Sequence, residues 1–334
     1  MPPVTDIEAI ADSAKTHWVN RAPLGIRPYL QLSRLDRPVG YWLLALPGWI
    51  GLAFAGLSHG PVWGDLFWAL LILIGAVAMR GAGCTYNDIV DQDLDAQVER
   101  TALRPLPAGT VTTKQAWTWT FAQIGIGFLV WLCLPLLAKG IALLALPLVA
   151  AYPFMKRITW FPQVWLGMTF NWAVLVAYAA KTGSVSTPLF LLYLGLIFWT
   201  VGYDTIYACQ DIEDDAMVGI KSTARKFGPN IRSAVALCYA LFIGLGIQAT
   251  SKTLELHFPA DGLGWALKDF YTLGIWSPTA FCAIVYTVKV KPTDSSESLK
   301  IFKSNWLAAA FLIFFMIMFA MMTDDIWRWH LTQL

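Results

Sequence analysis

Residues 86–95, "YNDIVDQDLD", place Asp88, Asp91, Asp93 and Asp95 directly after a run apolar enough to lie inside a bilayer. On a helix, positions four apart share a face, so Asn87, Asp91 and Asp95 form one ridge. A second ridge, Tyr203, Tyr207, Asp211 and Asp215, follows from "GYDTIYACQDIEDD". Like charges at that spacing repel and destabilise a helix unless a cation sits between them. Hard oxygen donors with a single amide suit Mg2+, which keeps several waters and shares its shell with phosphates. A solvated helix end would explain one such cluster. Two clusters of the same spacing, each closing an apolar run, point to carboxylates that hold a metal.

Cations lie close by. "VERTALRPLPAGT" supplies Arg100 and Arg104, "YPFMKR" supplies Lys156 and Arg157, and "GIKSTARKFG" supplies Lys221 and Arg225. Carboxylates holding Mg2+, with Arg and Lys beside them, are the composition of a diphosphate site, where metal and cations neutralise a leaving group. Lys226, Arg232, Lys300 and Lys303 read as topology anchors. Arg80 lies inside an apolar run, where a charge must face the protein and find a partner. Phe170, Trp172, Tyr178, Trp199, Tyr203 and Tyr207 are candidates to steady an allylic cation by their ring quadrupoles, although most such rings in membrane spans are packing or interfacial anchors.

The elements that position these groups follow from composition. Of 334 residues 57% are hydrophobic and only 14% charged, with 17 Trp, which excludes an ordinary soluble domain. Nine runs are long enough to cross a hydrocarbon core of roughly 30 Å: residues 40–57, 65–86, 116–138, 140–155, 163–180, 188–208, 231–249, 270–288 and 305–322. The fourth is short and carries Pro147 and Pro153. With the N-terminus cytoplasmic, 18 Lys and Arg fall on the inner side and 5 (Lys139, Lys181, Lys252, Lys268, Arg328) on the outer, Arg80 being left within the second span. That is the asymmetry the positive-inside rule requires.

The expected fold is therefore an all-α membrane protein: a cytoplasmic segment 1–39, a transmembrane domain 40–322 and a tail 323–334. Both acidic ridges open long polar connections, 87–115 and 209–230, on the cytoplasmic face. The second and sixth spans become equivalent, a weak internal repeat offset by four helices. Residues 252–269 should form an outer loop with a short amphipathic helix, and 290–303 a polar inner one. The five cysteines show no metal-ligand spacing and read as reduced, mostly buried thiols. A net charge of +2 without a long basic run argues against nucleic acid. No removable signal is expected in the polar first 39 residues.

At "RLDRPVGYWLL", "MRGAGCTYNDIVDQDLDAQVERTALRPLPAG", "YPFMKRITWFPQ" and "GYDTIYACQDIEDDAMVGIKSTARKFG" the chain resembles the UbiA superfamily of intramembrane aromatic prenyltransferases, most closely its branch acting on 4-hydroxybenzoate in ubiquinone biosynthesis. The likeness runs from about residue 27 to residue 320. It implies nine transmembrane helices around a central cavity open sideways to lipid, capped by cytoplasmic helical loops. It implies that Asn87, Asp88, Asp91 and Asp95, with Asp211 and Asp215, bind Mg2+ bridged to a polyprenyl diphosphate. Tyr152 and Lys156 match a diphosphate-contacting pair, Arg157 an anchor for the benzoate carboxylate, and Arg34 a basic position before the first span. The implied reaction attaches the prenyl group to the ring carbon ortho to the hydroxyl, with Asp211 or a nearby water taking the proton. The substrates and the lipid bilayer are the expected partners, together with enzymes of the same pathway. A bacterial inner membrane is the expected home, a mitochondrial inner membrane the alternative. Competing readings are a sister enzyme using dihydroxynaphthoate, homogentisate or haem, and a secondary transporter, whose site would lie near the bilayer midplane rather than at its rim.

Overall fold

A backbone in hydrocarbon must satisfy its own hydrogen bonds, so each apolar run has to be helical. The computed structural model describes residues 17–97, 99–210, 212–217, 219–255, 257–258 and 261–331, and every regular element among them is a helix. In chain order these are α1 (Arg27–Leu32), α2 (Val39–His59), α3 (Gly64–Val90), α4 (Gln92–Asp95), α5 (Glu99–Ala102), α6 (Thr113–Cys133), α7 (Leu136–Leu144), α8 (Leu146–Ile158), α9 (Pro162–Thr182), α10 (Thr187–Ala208), α11 (Ile212–Met217), α12 (Thr223–Phe227), α13 (Ile231–Leu254), α14 (Gly262–Lys289) and α15 (Ser295–Leu331). Short 3-10 turns precede α1 and α13. Asp211 and the first 16 residues lie outside the described residues, and Arg100 and Asp215 are described in their backbone alone.

All nine expected spans fall on helix, the third (116–138) running past the end of α6 at Cys133 into α7. Eight helical stretches among the described residues are long and apolar enough to cross a bilayer. The ninth, α9, is also 21 residues long, but Gln163, Asn171 and Lys181 make it less apolar than the rest. The fourth span is two helices that meet at Ala145, because Pro147 in the first turn of α8 has no N–H to continue α7. Two loops are shorter than expected. The amphipathic helix foreseen in 252–269 is the beginning of α14, capped by Asp261, whose carboxylate accepts the Gly264 N–H at 2.7 Å. Residues 295–303 are the start of α15.

The chain forms two compact units. One comprises residues 1–42 and 74–130, the other 43–73 and 131–334. In the first, Leu32, Leu106, Val111 and Ala116 form a small core with Tyr29 and Ile89 against it. Leu106 and Val111 thereby anchor the Pro-rich connection after α5, which turns at Gly109 with φ +70°. Beside this core Gly81 makes a close approach possible, for a Cβ there would lie 1.8 Å from Gln123 Oε1 and 3.1 Å from Ser33 Cβ. The space holds a chain of bonds in which Trp119 Nε1 donates to Ser33 Oγ at 2.8 Å and Ser33 Oγ donates to Gln123 Oε1 at 3.0 Å.

The second unit is built around α10, which lies along α13. Trp199 packs on Tyr203 (ring centroids 5.1 Å apart) and on Phe242 (5.9 Å), and Phe242 on Trp276 (5.2 Å). Gly246 makes room for the Trp276 ring, which a Cβ would meet at 2.0 Å. Asn171 joins α9 to α10: its amide donates to the carbonyls of Gly167 and Leu196 and to Thr200 Oγ1 at 2.7 Å. Trp165 and Trp172 of α9 donate to the carbonyls of Leu148 and Ile141 at 2.7 and 2.8 Å, fastening α8 and α7.

Candidate active site

The first acidic motif belongs to the first unit. α3 ends at Val90 and α4 begins at Gln92, yet the four-residue spacing survives the junction, because Asp91 N–H donates to the Asn87 carbonyl at 2.9 Å and Asp95 N–H to the Asp91 carbonyl at 2.8 Å. Burial separates the acids. Asp88, Asp91 and Asp95 are 0%, 1% and 8% exposed, whereas Asp93 faces out and Asn87 is half-buried.

Two arginines reach these acids. Arg34 Nη2 donates to Asp88 Oδ1 at 2.6 Å. Arg104 Nη1 donates to Asp95 Oδ2 at 2.7 Å and touches Asp88 Oδ1 at 3.4 Å. Arg34 is the one non-glycine residue with positive φ among the described residues, at +54°. Such a backbone costs an L-residue on the order of 1–2 kcal/mol, and it persists only where its surroundings fix it. Here they do: Arg34 Nη1 donates to the Gln31 carbonyl at 3.2 Å while Nη2 grips Asp88. Burial alone would lower the Arg34 pKa. The Asp88 carboxylate, helped by Cys84, Asp36 and Asp95, more than offsets this, so the guanidinium is held above its ordinary value and stays charged. Arg80, half-buried, lies across the start of α2, where a Cβ on Gly40 would sit 2.9 Å from Arg80 Nε.

Asp36, 1% exposed, was missed in reading the sequence. Its carboxylate stands 3.4 Å from Arg37 Nε, and no described group donates a hydrogen bond to it. The Arg-x-Asp-Arg spacing of residues 34–37 could have drawn attention to it, but only Arg34 was singled out there, as a basic position before the first span. Asp204 was missed as well. It lies in the last two turns of α10 and is half-buried, an intramembrane acid of the kind that marks a function.

The remaining candidates sit in the second unit. α8 ends with Tyr152 and Lys156 half-buried and Arg157 exposed. The segment before α12 docks on this end: Lys221 N–H donates to the Lys156 carbonyl at 3.0 Å, and Lys221 Nζ to the Ile158 carbonyl at 3.2 Å. A lysine so placed satisfies the open carbonyls of a helix terminus. Thr223 then ties the segment to α9 and α10 through Gln163 Oε1 at 3.2 Å and Thr205 Oγ1 at 2.6 Å. Arg225 and Lys226 lie over the Trp160 ring at 5.4 and 5.8 Å. Tyr207 is half-buried beside Phe302, with ring centroids 4.6 Å apart. The second ridge is not one continuous helix, since α10 ends at Ala208 and Asp215 belongs to α11. Among the other aromatic candidates, Trp199 and Tyr203 are 1% exposed and packed in the core, and Trp172 lies edge-on to Tyr193.

A divalent cation suits the first motif. An amide and carboxylates are hard oxygen donors, the acids are buried, and Asp88 Oδ2 accepts no hydrogen bond among the described residues. No ready-made group of three or more His, Cys, Asp or Glu around a metal position occurs among the described residues, from which Asp211 and the Asp215 side chain are missing.

Comparison with known proteins agrees with this picture. Residues 44–305 match the profile of the UbiA prenyltransferase family. The mitochondrial 4-hydroxybenzoate polyprenyltransferase of Aedes aegypti is 44% identical over 259 residues, 75% of this chain. The human protein of that name is 41% identical over 269 residues, 78% of this chain. The chain spans 58% of the length of the mosquito protein and 71% of the human one. Among solved structures, the apo UbiA homolog from Aeropyrum pernix superposes with a TM-score of 0.62 at 24% identity, covering 83% of this chain and 98% of that one. The UbiA homolog from Archaeoglobus fulgidus bound to DMAPP and Mg2+ gives 0.59 at 17% identity, covering 88% and 98%. The all-helical membrane fold and the matched span lead to one conclusion: this multi-pass membrane protein belongs to the UbiA prenyltransferase family.

Proposed function

We propose that the chain transfers a polyprenyl group from polyprenyl diphosphate to 4-hydroxybenzoate, ortho to the hydroxyl, in ubiquinone biosynthesis. The observation that carries this reading is the buried Arg34, Asp88, Arg104 and Asp95 cluster at the end of a membrane-spanning helix, in a chain whose similar relatives bear that enzyme's name. Asn87, Asp91 and Asp95, with Asp211 and Asp215, are the groups that would hold Mg2+, and Asp88 supports the first set. When bound, the metal supplies positive charge to the departing diphosphate.

The chain's own residues do the rest. In the reaction the allylic C–O bond breaks, a C–C bond forms to the ring, and the ring carbon loses a proton, leaving diphosphate and the prenylated acid. Arg34, Arg80, Arg100 and Arg104 add fixed positive charge for the diphosphate oxygens, and Tyr152 and Lys156 bind them from the end of α8. Lys221 braces that end through Ile158 and brings a further cation to it. Arg157 would pair with the carboxylate of the acceptor, and Tyr207 offers a ring face to the allylic cation. Asp211 or a water is the proton acceptor in this scheme. The bilayer holds the hydrocarbon tail, and enzymes that modify the product are the natural neighbours.

The relatives' names favour a mitochondrial inner membrane over a bacterial one; fractionation of the tagged chain with a bacterial envelope would reverse that choice. The reading is tested by giving membranes that contain the chain radiolabelled 4-hydroxybenzoate with geranyl to decaprenyl diphosphates. A labelled prenylated hydroxybenzoate formed only with a divalent metal supports it. Label retained in free 4-hydroxybenzoate, with transfer to dihydroxynaphthoate or homogentisate instead, would overturn the acceptor.

A further inference from the structure

We propose that Arg104 is an exchanging counter-ion: it neutralises Asp95 while no metal is bound, and moves onto the open Oδ2 of Asp88 when a divalent cation takes Asp95. This rests on the metal-dependent reading above and adds a role for two residues within it. Asp88 becomes a positioning residue that acts through arginines, and Arg104 the group that makes the metal site available.

The geometry of one guanidinium carries the argument. Arg104 Nη1 grips Asp95 Oδ2 at 2.7 Å and only touches Asp88 Oδ1 at 3.4 Å. Asp95 therefore cannot give that oxygen to a metal until Arg104 lets go, and a buried guanidinium cannot let go without another anion. Asp88 provides one. Its Oδ2 is buried and accepts no hydrogen bond among the described residues. A turn of the planar fork would change a one-point touch into a two-point pairing, the strongest form of this contact.

Asp88 is also the right kind of post. It lies on the last turns of α3, and its Oδ1 is held by Arg34 at 2.6 Å. Arg34 itself is fixed by its left-handed backbone and by the Gln31 carbonyl. The Arg104 backbone is tethered close to Asp95 throughout: Thr101 Oγ1 donates to the Asp95 carbonyl at 2.7 Å, and Arg104 N–H to the Thr101 carbonyl at 2.9 Å. The side chain can thus change partners while the main chain stays in place. After the exchange, the guanidinium N–H groups not used by Asp88 remain for an anionic substrate.

The test counts bound Mn2+ by electron paramagnetic resonance on the purified full chain in detergent, with no diphosphate present. Arg104→Gln removes the competitor and should tighten Mn2+ binding by about tenfold or more, the scale of one charge-assisted hydrogen bond. Asp88→Asn leaves Arg104 on Asp95 and should weaken it by about as much. The double variant should bind Mn2+ as tightly as Arg104→Gln. Unchanged or weaker binding by Arg104→Gln overturns the proposal, and so does a double variant as weak as Asp88→Asn, which would make Asp88 a direct ligand. Where Asp88→Asn does not fold, Arg104→Lys serves instead. Its ammonium pairs with Asp95 but cannot fork onto Asp88, so Mn2+ binding should fall, and binding equal to the parent overturns the proposal. A parent chain that binds no Mn2+ would overturn the metal-dependent reading together with this inference.

Discussion

Lys181 Nζ lies 2.6 Å from Asp65 Oδ2 and 2.9 Å from the Gly60 carbonyl oxygen, 116 residues from the acid in sequence. The pair fastens the turn between α2 and α3 to the last turn of α9. Asp65 has a second use, since its Oδ2 also accepts the Val62 N–H at 3.0 Å. The Lys181 side chain is 5% exposed and that of Asp65 21%, so loss of one partner leaves the other charged and largely dry.

Lys181→Met should therefore lower stability by about 3 kcal/mol, the usual cost of stranding one member of a buried pair. The check is thermal melting in detergent. Lys181→Met combined with Asp65→Asn should recover part of the loss; a double variant less stable than the single would show that the ammonium matters through packing.

Asp91 and Asp93 lie two residues apart and should behave oppositely. Asp91→Asn, at a buried carboxylate, is expected to abolish prenyl transfer while the chain still melts cooperatively. Asp93→Asn, on the exposed side of α4, should leave turnover within about twofold of the parent, as surface changes usually do. Comparable losses in the two variants would count against the burial argument.

Arg157→Ala should raise the KM for 4-hydroxybenzoate by about tenfold or more and that for the prenyl donor much less, as expected for a group that binds one substrate uniformly. Steady-state kinetics with each substrate varied in turn decides this. Equal changes in both constants would take the carboxylate away from Arg157.

Gly81→Ala would push a methyl group into Gln123 Oε1 and against Ser33 Cβ. Overpacking of this kind costs about 1–3 kcal/mol, and the strain falls on the residue next to Arg34. Both melting temperature and affinity for the prenyl diphosphate should drop. Shortening the obstructing side chain in Gly81→Ala with Gln123→Ser should restore melting more than affinity, since the bond from Ser33 to Gln123 is lost.

Much of the fold was legible because apolar length is a one-dimensional property. Every run placed from hydropathy falls on helix, though the third and fourth are each broken once, and both acidic connections carry the short helices expected of caps. What spacing could not tell was which acids are buried. Asp88, Asp91, Asp93 and Asp95 look alike in the sequence, and only packing of α3 and α4 turns Asp93 outward. Nor could it pair Arg34 with Asp88, 54 residues away, or reveal that Arg34 needs a left-handed backbone to reach it. The second ridge was drawn as one helix because a four-residue period was extended past Ala208, where the chain turns. Lys221 was read as a cation for diphosphate from its charge, but the carbonyl it serves at Ile158 depends on a docking that only the folded chain makes.

The stretch Leu136–Ile158 has only 11% of its most apolar 18 residues buried in protein, and it meets α9 through the two indole bonds from Trp165 and Trp172 and the packing of Ala138 on Ala179 and Ala180. Lipid, together with the Lys221 segment that holds the end of α8, thus acts on the depth at which Tyr152 and Lys156 ride. Acyl chains that are too short or too long should tilt or shift this arm by the ordinary rules of hydrophobic mismatch. Bilayer thickness would then act as a tuning parameter, readable as a maximum in turnover across vesicles of graded chain length.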